Sequence, residues 1–293
     1  MAETKQKASL VLSGGGARGT AHIGVIEELE KQGFEISSIA GTSMGAVVGG
    51  IYALGKLDEF KEWLCSLDRL KVFSLADFSL GHLGLVKAEK VLKTMKAFTG
   101  DANIEDMPIH YAAVAVDIIN KNEVVFTKGS LYDAMRASIA IPSVITPVKT
   151  KNGLLVDGGV MNNIPVSHAF RTSGDILVVV NVNANIPVDK PKISKKDTEE
   201  KQSVYQIKLK EFYSHLPKIY YQDREEKLNY FDLISETISL MTHHIAQLQL
   251  ENYSPDIVIE ISRDACSMYD FYKAEEMIEI GRFATMKKLS NYS

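Results

Sequence analysis

The hydrophobic pattern of the first fifty residues repeats one arrangement of strand, turn and helix. Ala8–Leu12 is a continuous apolar run that ends in a serine and three glycines, which predicts a buried strand entering a tight turn. Apolar residues then recur at helical spacing over Thr20–Gln32, and Gly33 ends this predicted helix. A second strand at Ile36–Ala40 leads through another glycine to the small-residue helix Ala46–Leu54. This order is typical of a parallel sheet covered by helices.

The remainder of the chain continues the same pattern. Short runs rich in β-branched residues predict strands at Tyr111–Asp117, Glu123–Thr127, Leu154–Val156, Ile176–Val182 and Ile257–Ile261. Apolar positions at helical spacing predict helices at Leu131–Ile139, Tyr230–Leu250 and Lys273–Leu289. Together these elements predict an α/β protein with a mainly parallel central sheet.

The segment 185–228 differs in composition from the rest of the chain. It begins with a polar, charged stretch and continues with tyrosine and phenylalanine at loosely helical spacing. It is either a solvated excursion followed by helices packed on the body, or a lid or lipid-facing element. The predicted organisation is a core at 1–184, this polar and helical insertion at 185–228, and a helix–strand–helix segment at 229–293 that completes the same domain.

Composition and charge narrow the classes of function. The 293 residues are 45% hydrophobic and 24% charged, as in ordinary globular proteins, and the net charge of −4 argues against nucleic acid as a partner. Cys65 and Cys266 lack metal-ligand spacing, so they are interpreted as structural thiols in a reducing compartment. The first residues, MAETKQK, lack a signal-peptide pattern, and the longest apolar stretch is too short to cross a bilayer. We therefore expect a cytoplasmic protein with no transmembrane segment.

The motif Gly41-Thr42-Ser43-Met44-Gly45 lies between a predicted strand and a predicted helix. A serine at such a sharp turn projects its hydroxyl from the edge of the sheet. The glycines flank it because side chains at those positions would collide across the turn. The positive end of the following helix favours the anion that forms when the serine attacks. Ser43 is therefore the candidate nucleophile.

The motif Gly14-Gly15-Gly16-Ala17-Arg18-Gly19 is open to several interpretations. It satisfies the G-x-G-x-x-G dinucleotide pattern, but the second strand ends in Ala-Gly-Thr-Ser (40–43) and not in the acidic residue that this site needs. In an acyl hydrolase, the N–H groups of Gly14, Gly15 and Gly16 would stabilise a tetrahedral oxyanion. Arg18 either adds positive charge there or lies on the surface. The glycines could also form a merely structural turn.

Asp157-Gly158-Gly159 follows another predicted strand. Asp157 is either a turn residue that caps its own backbone or the general base for Ser43. A free aspartate, with a pKa of about 3.9, is a weak base for a hydroxyl. Burial beside Ser43 would raise this pKa and make the carboxylate more competent.

Most G-x-S-x-G hydrolases use a histidine, so the histidines are alternatives to Asp157. The five alternatives are His22, His168, His215, His243 and His244, and none of them has a motif of its own. Most of them are interpreted as residues packed on helices. An α/β-hydrolase with a Ser-His-Asp triad would require one of them. The order of motifs argues against that fold, because the serine turn follows only one earlier strand–helix unit.

Four motifs in this order, GGGARG, GTSMG, ASIAIPSVITPV and DGGVMNNIPV, resemble the bacterial patatin-like phospholipase family. The resemblance covers Ser9–Val182 and, more weakly, Asp256–Leu289. It implies a three-layer α/β/α patatin-like fold, a Ser–Asp dyad without a catalytic histidine, and a glycine-rich oxyanion loop. By matching position, Ser43 would be the nucleophile and Asp157 the base.

The resemblance also implies the remaining site residues and the reaction. The oxyanion hole would be formed by Gly14, Gly15 and Gly16 with Arg18, and the other motif glycines are Gly19, Gly41, Gly45, Gly158 and Gly159. The expected activity is hydrolysis of ester bonds in phospholipids or related lipids through an acyl-enzyme, with no metal or cofactor. The lipid would be met at a membrane or micelle surface, which makes the cytoplasmic protein peripheral there. The rival functions are a nucleotide-binding oxidoreductase and a non-enzymatic binding module.

Overall fold

A computed structural model describes residues 5–77, 84–189, 230–290 and 292. Of the predicted insertion at 185–228, the residues from 190 onward lie outside the described residues. The division into 1–184, 185–228 and 229–293 therefore stays a prediction.

The observed elements include every strand and helix named from the pattern, within a few residues at each end. The strands are β1 (Gln6–Leu12), β2 (Phe34–Thr42), β3 (Gly84–Val86), β4 (His110–Asp117), β5 (Asn122–Phe126), β6 (Ser143–Ile145), β7 (Val148–Lys149), β8 (Leu154–Asp157), β9 (Ile176–Ala184) and β10 (Ile257–Ser262). The α-helices are α1 (Ala21–Lys31), α2 (Met44–Ala53), α3 (Leu57–Cys65), α4 (Arg69–Leu75), α5 (Glu89–Thr99), α6 (Leu131–Ser138), α7 (Tyr230–Tyr253) and α8 (Ala274–Leu289). Within the described part of the chain, no helix is long and apolar enough to cross a membrane.

The central sheet has eight strands in the order β10-β9-β1-β2-β4-β8-β7, with β5 paired to β4. The five strands from β10 to β4 are parallel to one another, which confirms the predicted mainly parallel sheet. β5 and β8 both run antiparallel to β4, and β7 runs antiparallel to β8. β3 and β6 form a separate two-stranded parallel sheet.

Alternate residues of the parallel strands point to opposite faces of the sheet, and both faces are covered. One face packs under α1, α2 and α8 through buried residues that include Leu10, Leu12, Ile39, Val178 and Val180. The other face packs against Ala246 of α7 through Val11, Ala40, Ala112, Leu177 and Val179. Because both faces are buried, the strands are apolar along their length and not alternately polar. The arrangement is the three-layer α/β/α fold that the resemblance implied.

The pairing of β4 decides where the site forms. β5 occupies one edge of β4, and β2 occupies the other edge until Thr42 pairs with Val114. From Ala115 onward, β8 takes over the edge that β2 leaves, with Asp157 opposite Ala115. Asp157 therefore lies one register position beyond Thr42, beside Ser43.

The first and last helices cross at two glycines. A Cβ atom on Gly24 would lie 1.9 Å from the carbonyl oxygen of Ile278, and one on Gly281 would lie 2.1 Å from that of Ala21. The backbones of α1 and α8 are thus in contact with no space for a side chain between them. This crossing packs α8 directly against α1, the helix of the first strand–helix unit.

We expect Gly24→Ala to lower the free energy of unfolding by about 3 kcal/mol, because the new methyl group would overlap a backbone carbonyl that cannot rotate away. Gly55→Ala is the matched control: its Cβ meets nothing within 4 Å, and it carries only the backbone cost of a φ of 72°, about 1–2 kcal/mol. Urea unfolding of both variants measures the difference. Equal stability of the two variants would contradict this account of the crossing.

Candidate active site

Ser43 lies at the turn between β2 and α2, where the backbone has to reverse sharply. Its φ of 54° and ψ of −123° are sparsely populated for a residue with a side chain. The flanking glycines make room for the turn: a Cβ on Gly41 would lie 2.5 Å from the Gly45 carbonyl oxygen, and one on Gly45 would lie 2.2 Å from that of Leu12. The strained serine at the carboxyl end of a parallel strand has the geometry of a nucleophile elbow.

Asp157 lies beside this serine in a water-poor environment. Both residues are only 5% exposed. The Asp157 Oδ1 atom accepts the Gly159 N–H at 2.7 Å, whereas Oδ2 is buried and accepts no hydrogen bond within the described residues. Burial raises the pKa of Asp157 to about 6, and the adjacent Ser43 hydroxyl and the Gly159 N–H partly oppose this increase. The carboxylate therefore has one free oxygen and a basicity well above that of an ordinary aspartate.

The end of α6 holds the backbones of both residues. The Ser43 N–H donates to the Ser138 hydroxyl at 2.8 Å, and that hydroxyl donates to the Val114 carbonyl at 2.7 Å. Two residues further on, the Ala140 carbonyl accepts the Asp157 N–H at 2.9 Å. Ser138 is fully buried, so neither hydrogen bond competes with water. Ser138 and Ala140, two residues apart in the chain, thus hold the backbones of Ser43 and Asp157 at a fixed spacing.

The N–H groups of the glycine loop are not equivalent. The Gly14 N–H donates to the Asn163 carbonyl at 3.1 Å, and the Ala17 N–H donates to the Met268 carbonyl at 2.9 Å. Between them, the N–H groups of Gly15 and Gly16 have no acceptor in the part of the chain that the structure describes. The loop that was expected to offer three donors therefore leaves two of them free.

Arg18 holds the loop in place from the side. Its guanidinium donates to the Asn183 Oδ1 at 2.8 Å and to the Cys266 carbonyl at 3.3 Å. The Asn183 amide in turn donates to the Gly14 carbonyl at 2.6 Å. These contacts make Arg18 a part-buried anchor of the loop, and its expected place in the oxyanion hole stays a prediction.

Asn163 lies between the glycine loop and the Asp157 turn. Its Oδ1 atom would be 2.5 Å from a Cβ on Gly14 and 3.1 Å from one on Gly159, and its Nδ2 atom is buried without a partner in the described residues. Sequence reasoning assigned no role to Ser138, Ala140 or Asn163, although each lies in a quoted motif, ASIAIP or DGGVMNN. Their position in these motifs is the only sign in the sequence that the three residues matter. Their roles depend on contacts with residues that are distant in the chain.

The other motif glycines are sites of close backbone or side-chain approach. A Cβ on Gly158 would lie 2.3 Å from the Val114 carbonyl oxygen, and one on Gly19 would lie 2.5 Å from the Met44 side chain. These glycines let the loops around Ser43 approach one another.

His22 and His168 each have a hydrogen-bond partner other than Ser43 or Asp157. His168 Nε2 lies 2.7 Å from a carboxylate oxygen of Glu123. His22 is fully buried with Nε2 2.8 Å from the Ser13 carbonyl oxygen, and burial lowers its pKa to about 4, so it is neutral and donates to that carbonyl. His215 lies outside the described residues. His22 thus holds the carbonyl group of Ser13, the residue directly before the glycine loop.

The geometry gives less support to a dinucleotide site or a metal site than to the pair of Ser43 and Asp157. The carboxyl end of β2 carries Ser43 where a dinucleotide site would need an acidic residue. Within the described residues, no three His, Cys, Asp or Glu side chains are grouped to hold a metal. A cavity of about 460 Å³ lies between α5, α6 and β7, and its lining includes neither Ser43 nor Asp157.

Comparison with known proteins agrees with this geometry. The sequence profile of the patatin-like phospholipase family matches residues 10–170. An uncharacterised NTE family protein of Mycobacterium tuberculosis (strain H37Rv) is 33% identical over 98% of this chain and 92% of its own length. Lysophospholipase NTE1 of Yarrowia lipolytica is 32% identical over 61% of this chain and 13% of its own length. The crystal structure of VipD from Legionella pneumophila is similar in fold, with a TM-score of 0.51, 12% identity, and coverage of 99% of this chain and 67% of VipD. The chain belongs to the patatin-like phospholipase family of lipid acyl hydrolases.

Proposed function

We propose that this protein hydrolyses ester bonds of phospholipids or related lipids with Ser43 as nucleophile and Asp157 as general base. The observation that carries the proposal is a strained, nearly buried serine beside a carboxylate with one unpartnered oxygen and a pKa raised to about 6. We place the reaction at the surface of a membrane or micelle facing the cytoplasm.

The first half-reaction makes the acyl-enzyme. The Ser43 oxygen attacks the ester carbonyl carbon while its proton passes to the free Oδ2 of Asp157. The negative charge on the carbonyl oxygen is stabilised by the N–H groups of Gly15 and Gly16, the two loop donors without an acceptor. The tetrahedral intermediate then breaks the ester C–O bond, and Asp157 returns the proton to the departing alcohol or lysolipid.

The second half-reaction repeats these roles with water. Asp157, again ionised, removes a proton from a water molecule that attacks the acyl-enzyme carbonyl. The same two N–H groups stabilise the second oxyanion. Collapse of this intermediate releases the fatty acid and returns the proton to Ser43. A base with a pKa near 6 suits this cycle, because it must accept and return a proton near neutral pH.

Substitution of each dyad member tests the proposal directly. With a medium-chain p-nitrophenyl ester, we expect Ser43→Ala and Asp157→Asn each to lower kcat by about a thousandfold or more. We expect His168→Ala to retain most of the activity, because the His168 ring pairs with Glu123 and not with the dyad. Circular dichroism verifies that each variant is folded.

A serine-directed fluorophosphonate probe provides an independent measurement. It should label wild type at Ser43 and fail to label Ser43→Ala. An inactive but folded His168→Ala variant would replace the dyad with a triad. Absence of both turnover and labelling in wild type would rule out the hydrolase proposal.

The raised pKa of Asp157 predicts how activity and stability depend on pH. Below about pH 6 the carboxyl group is protonated and cannot accept the serine proton, so kcat/KM should rise with pH and level off above this value. A buried group with a raised pKa also makes the fold less stable as pH increases from 3.8 to about 6. At pH 8, the free energy of unfolding of Asp157→Asn should therefore exceed that of wild type by up to about 3 kcal/mol. Denaturant unfolding measures this difference.

The pH series distinguishes this cause from general stabilisation. The stability difference between Asp157→Asn and wild type should shrink toward zero as the pH falls from 6 toward 4. A difference that is constant over this range would mean that ionisation of Asp157 is not its source.

Ser138 should act by positioning the nucleophile. Ser138→Ala leaves the buried Ser43 N–H without an acceptor, which costs about 1–3 kcal/mol of stability. A displaced Ser43 should lower kcat, and the rate of fluorophosphonate labelling, by about tenfold to a hundredfold, with KM nearly unchanged. Steady-state kinetics on the soluble ester measure the separation of kcat from KM.

Ser130→Ala is the matched control on the same helix. The Ser130 hydroxyl caps α6 by accepting the Asp133 N–H, and it does not contact Ser43. Its removal should cost about 1 kcal/mol of stability without lowering kcat. Equal kcat values for the two variants would show that Ser138 contributes only to stability.

A further inference from the structure

Two turns lie together beyond the carboxyl end of β4. Residues 118–121 join β4 to β5, and residues 150–153 join β7 to β8. The turns contact each other directly: the Asn120 amide donates to the Asn152 carbonyl at 3.2 Å, and the Ile118 N–H donates to the Leu154 carbonyl at 3.1 Å. We call residues 118–121 and 149–153 the paired-turn tip.

Asp117 at the base makes this tip rigid. Its carboxylate accepts the N–H groups of Ile119, Asn120 and Leu154, and the Asn120 amide at 2.8 Å. The Asn120 side chain in particular lowers the pKa of Asp117, as do these N–H groups, so the carboxylate is ionised at neutral pH. Gly153 is required because a Cβ there would lie 1.9 Å from an Asp117 oxygen. The tip is therefore ordered by its own hydrogen bonds before any partner binds.

This ordered tip exposes two large apolar side chains and three cations. Ile118 is 44% exposed and Ile119 is 60% exposed. Lys121, Lys149 and Lys151 are exposed, and within the described residues none of the three makes an ion pair. Neighbouring apolar and unpaired basic residues are a combination that suits an anionic lipid surface.

The tip lies just outside the proposed active site. Asp157 pairs with Ala115 near the end of β4. Ile118 is the first residue after β4, so at about 3.3 Å per residue it lies within about 10 Å of this pairing position along the chain. Val160 and Met161, which directly follow the Asp157 turn, are 37% and 39% exposed. Exposed apolar side chains thus occur both at the tip and at the turn that carries Asp157.

We propose that the paired-turn tip docks this protein on anionic phospholipid bilayers. The Ile118 and Ile119 side chains insert among the acyl chains near the headgroups, while Lys121, Lys149 and Lys151 contact lipid phosphates. The rest of the protein carries a net negative charge, since the whole chain is at −4 with these lysines included. An anionic surface therefore repels most of the molecule and favours an approach with the tip, and with it the Ser43 site, toward the lipid.

Vesicle sedimentation tests the docking without requiring turnover. We expect wild type to bind vesicles of phosphatidylcholine with phosphatidylglycerol at least tenfold more strongly than vesicles of phosphatidylcholine alone. The triple variant Lys121→Gln, Lys149→Gln, Lys151→Gln should lose at least tenfold of the partition coefficient on the anionic vesicles. The double variant Ile118→Ser, Ile119→Ser should lose at least tenfold on either vesicle.

The controls carry the same kinds of substitution elsewhere. Leu70 on α4 is 68% exposed, and Lys93 on α5 is exposed, so Leu70→Ser and Lys93→Gln should bind like wild type. Soluble-ester hydrolysis and thermal unfolding should be unchanged in the tip variants. Wild type that binds no vesicles, or tip variants that bind like wild type, would overturn the docking proposal.

The docking proposal rests on the proposed function for the choice of a lipid surface, but the two can fail separately. Vesicle binding that depends on the tip, in a protein that hydrolyses no ester and is not labelled by fluorophosphonate, would overturn the catalytic proposal and leave the docking site. Normal hydrolysis of the soluble ester without vesicle binding would overturn only the docking site.

Discussion

The edge of β4 that β2 and β8 share is the constraint on which the rest of this structure depends. β2 ends at Thr42, and the antiparallel strand β8 takes over the same edge with Asp157 opposite Ala115. If β8 ran parallel, its carboxyl end would point away from Ser43 and the carboxylate would lie at the far side of the sheet. One reversal of strand direction therefore brings together Ser43 and Asp157, the two members of the proposed dyad. The Ser138 hydroxyl and the Ala140 carbonyl keep its two members in register through their backbone N–H groups.

Burial has opposite effects on stability and on chemistry at this site. An ionised carboxylate with one unpartnered oxygen is costly in a buried position, and this cost appears as the raised pKa of Asp157. The same shift gives the aspartate the basicity that its proposed role as general base requires. The strained backbone at Ser43 is a second local cost at the same place.

The charged and polar residues around Ser43 and Asp157 fall into two groups, those that hold the backbone in place and those that remain exposed. Arg18, Asn183 and His22 all bind carbonyl groups in or near the glycine loop, while the N–H groups of Gly15 and Gly16 have no acceptor within the described residues. Farther out, Asp117 orders two turns whose isoleucines and lysines project beyond the site. Polar contacts thus order the backbone, while the lysines proposed to meet lipid make no ion pair within the described residues.

The sequence by itself determined the features that are local. Apolar runs and helical spacing located the strands of four or more residues and most of the helices, and the motifs marked Ser43, Asp157 and the glycines as candidate site residues, because tight turns constrain neighbouring residues directly. The strands β3, β6 and β7 were not predicted, because two or three residues are too few to show an alternating pattern. The helices α3, α4 and α5 were not predicted either. The tertiary structure alone decided the direction of β8, the hydrogen bond from the Gly14 N–H to Asn163, the anchoring role of Arg18 and the contact of Ser138 with Ser43. Each of these depends on contacts between residues far apart in the chain, such as Ser43 and Ser138, which are separated by 95 positions. No local pattern encodes such a contact, because packing of the sheet and helices brings the partners together.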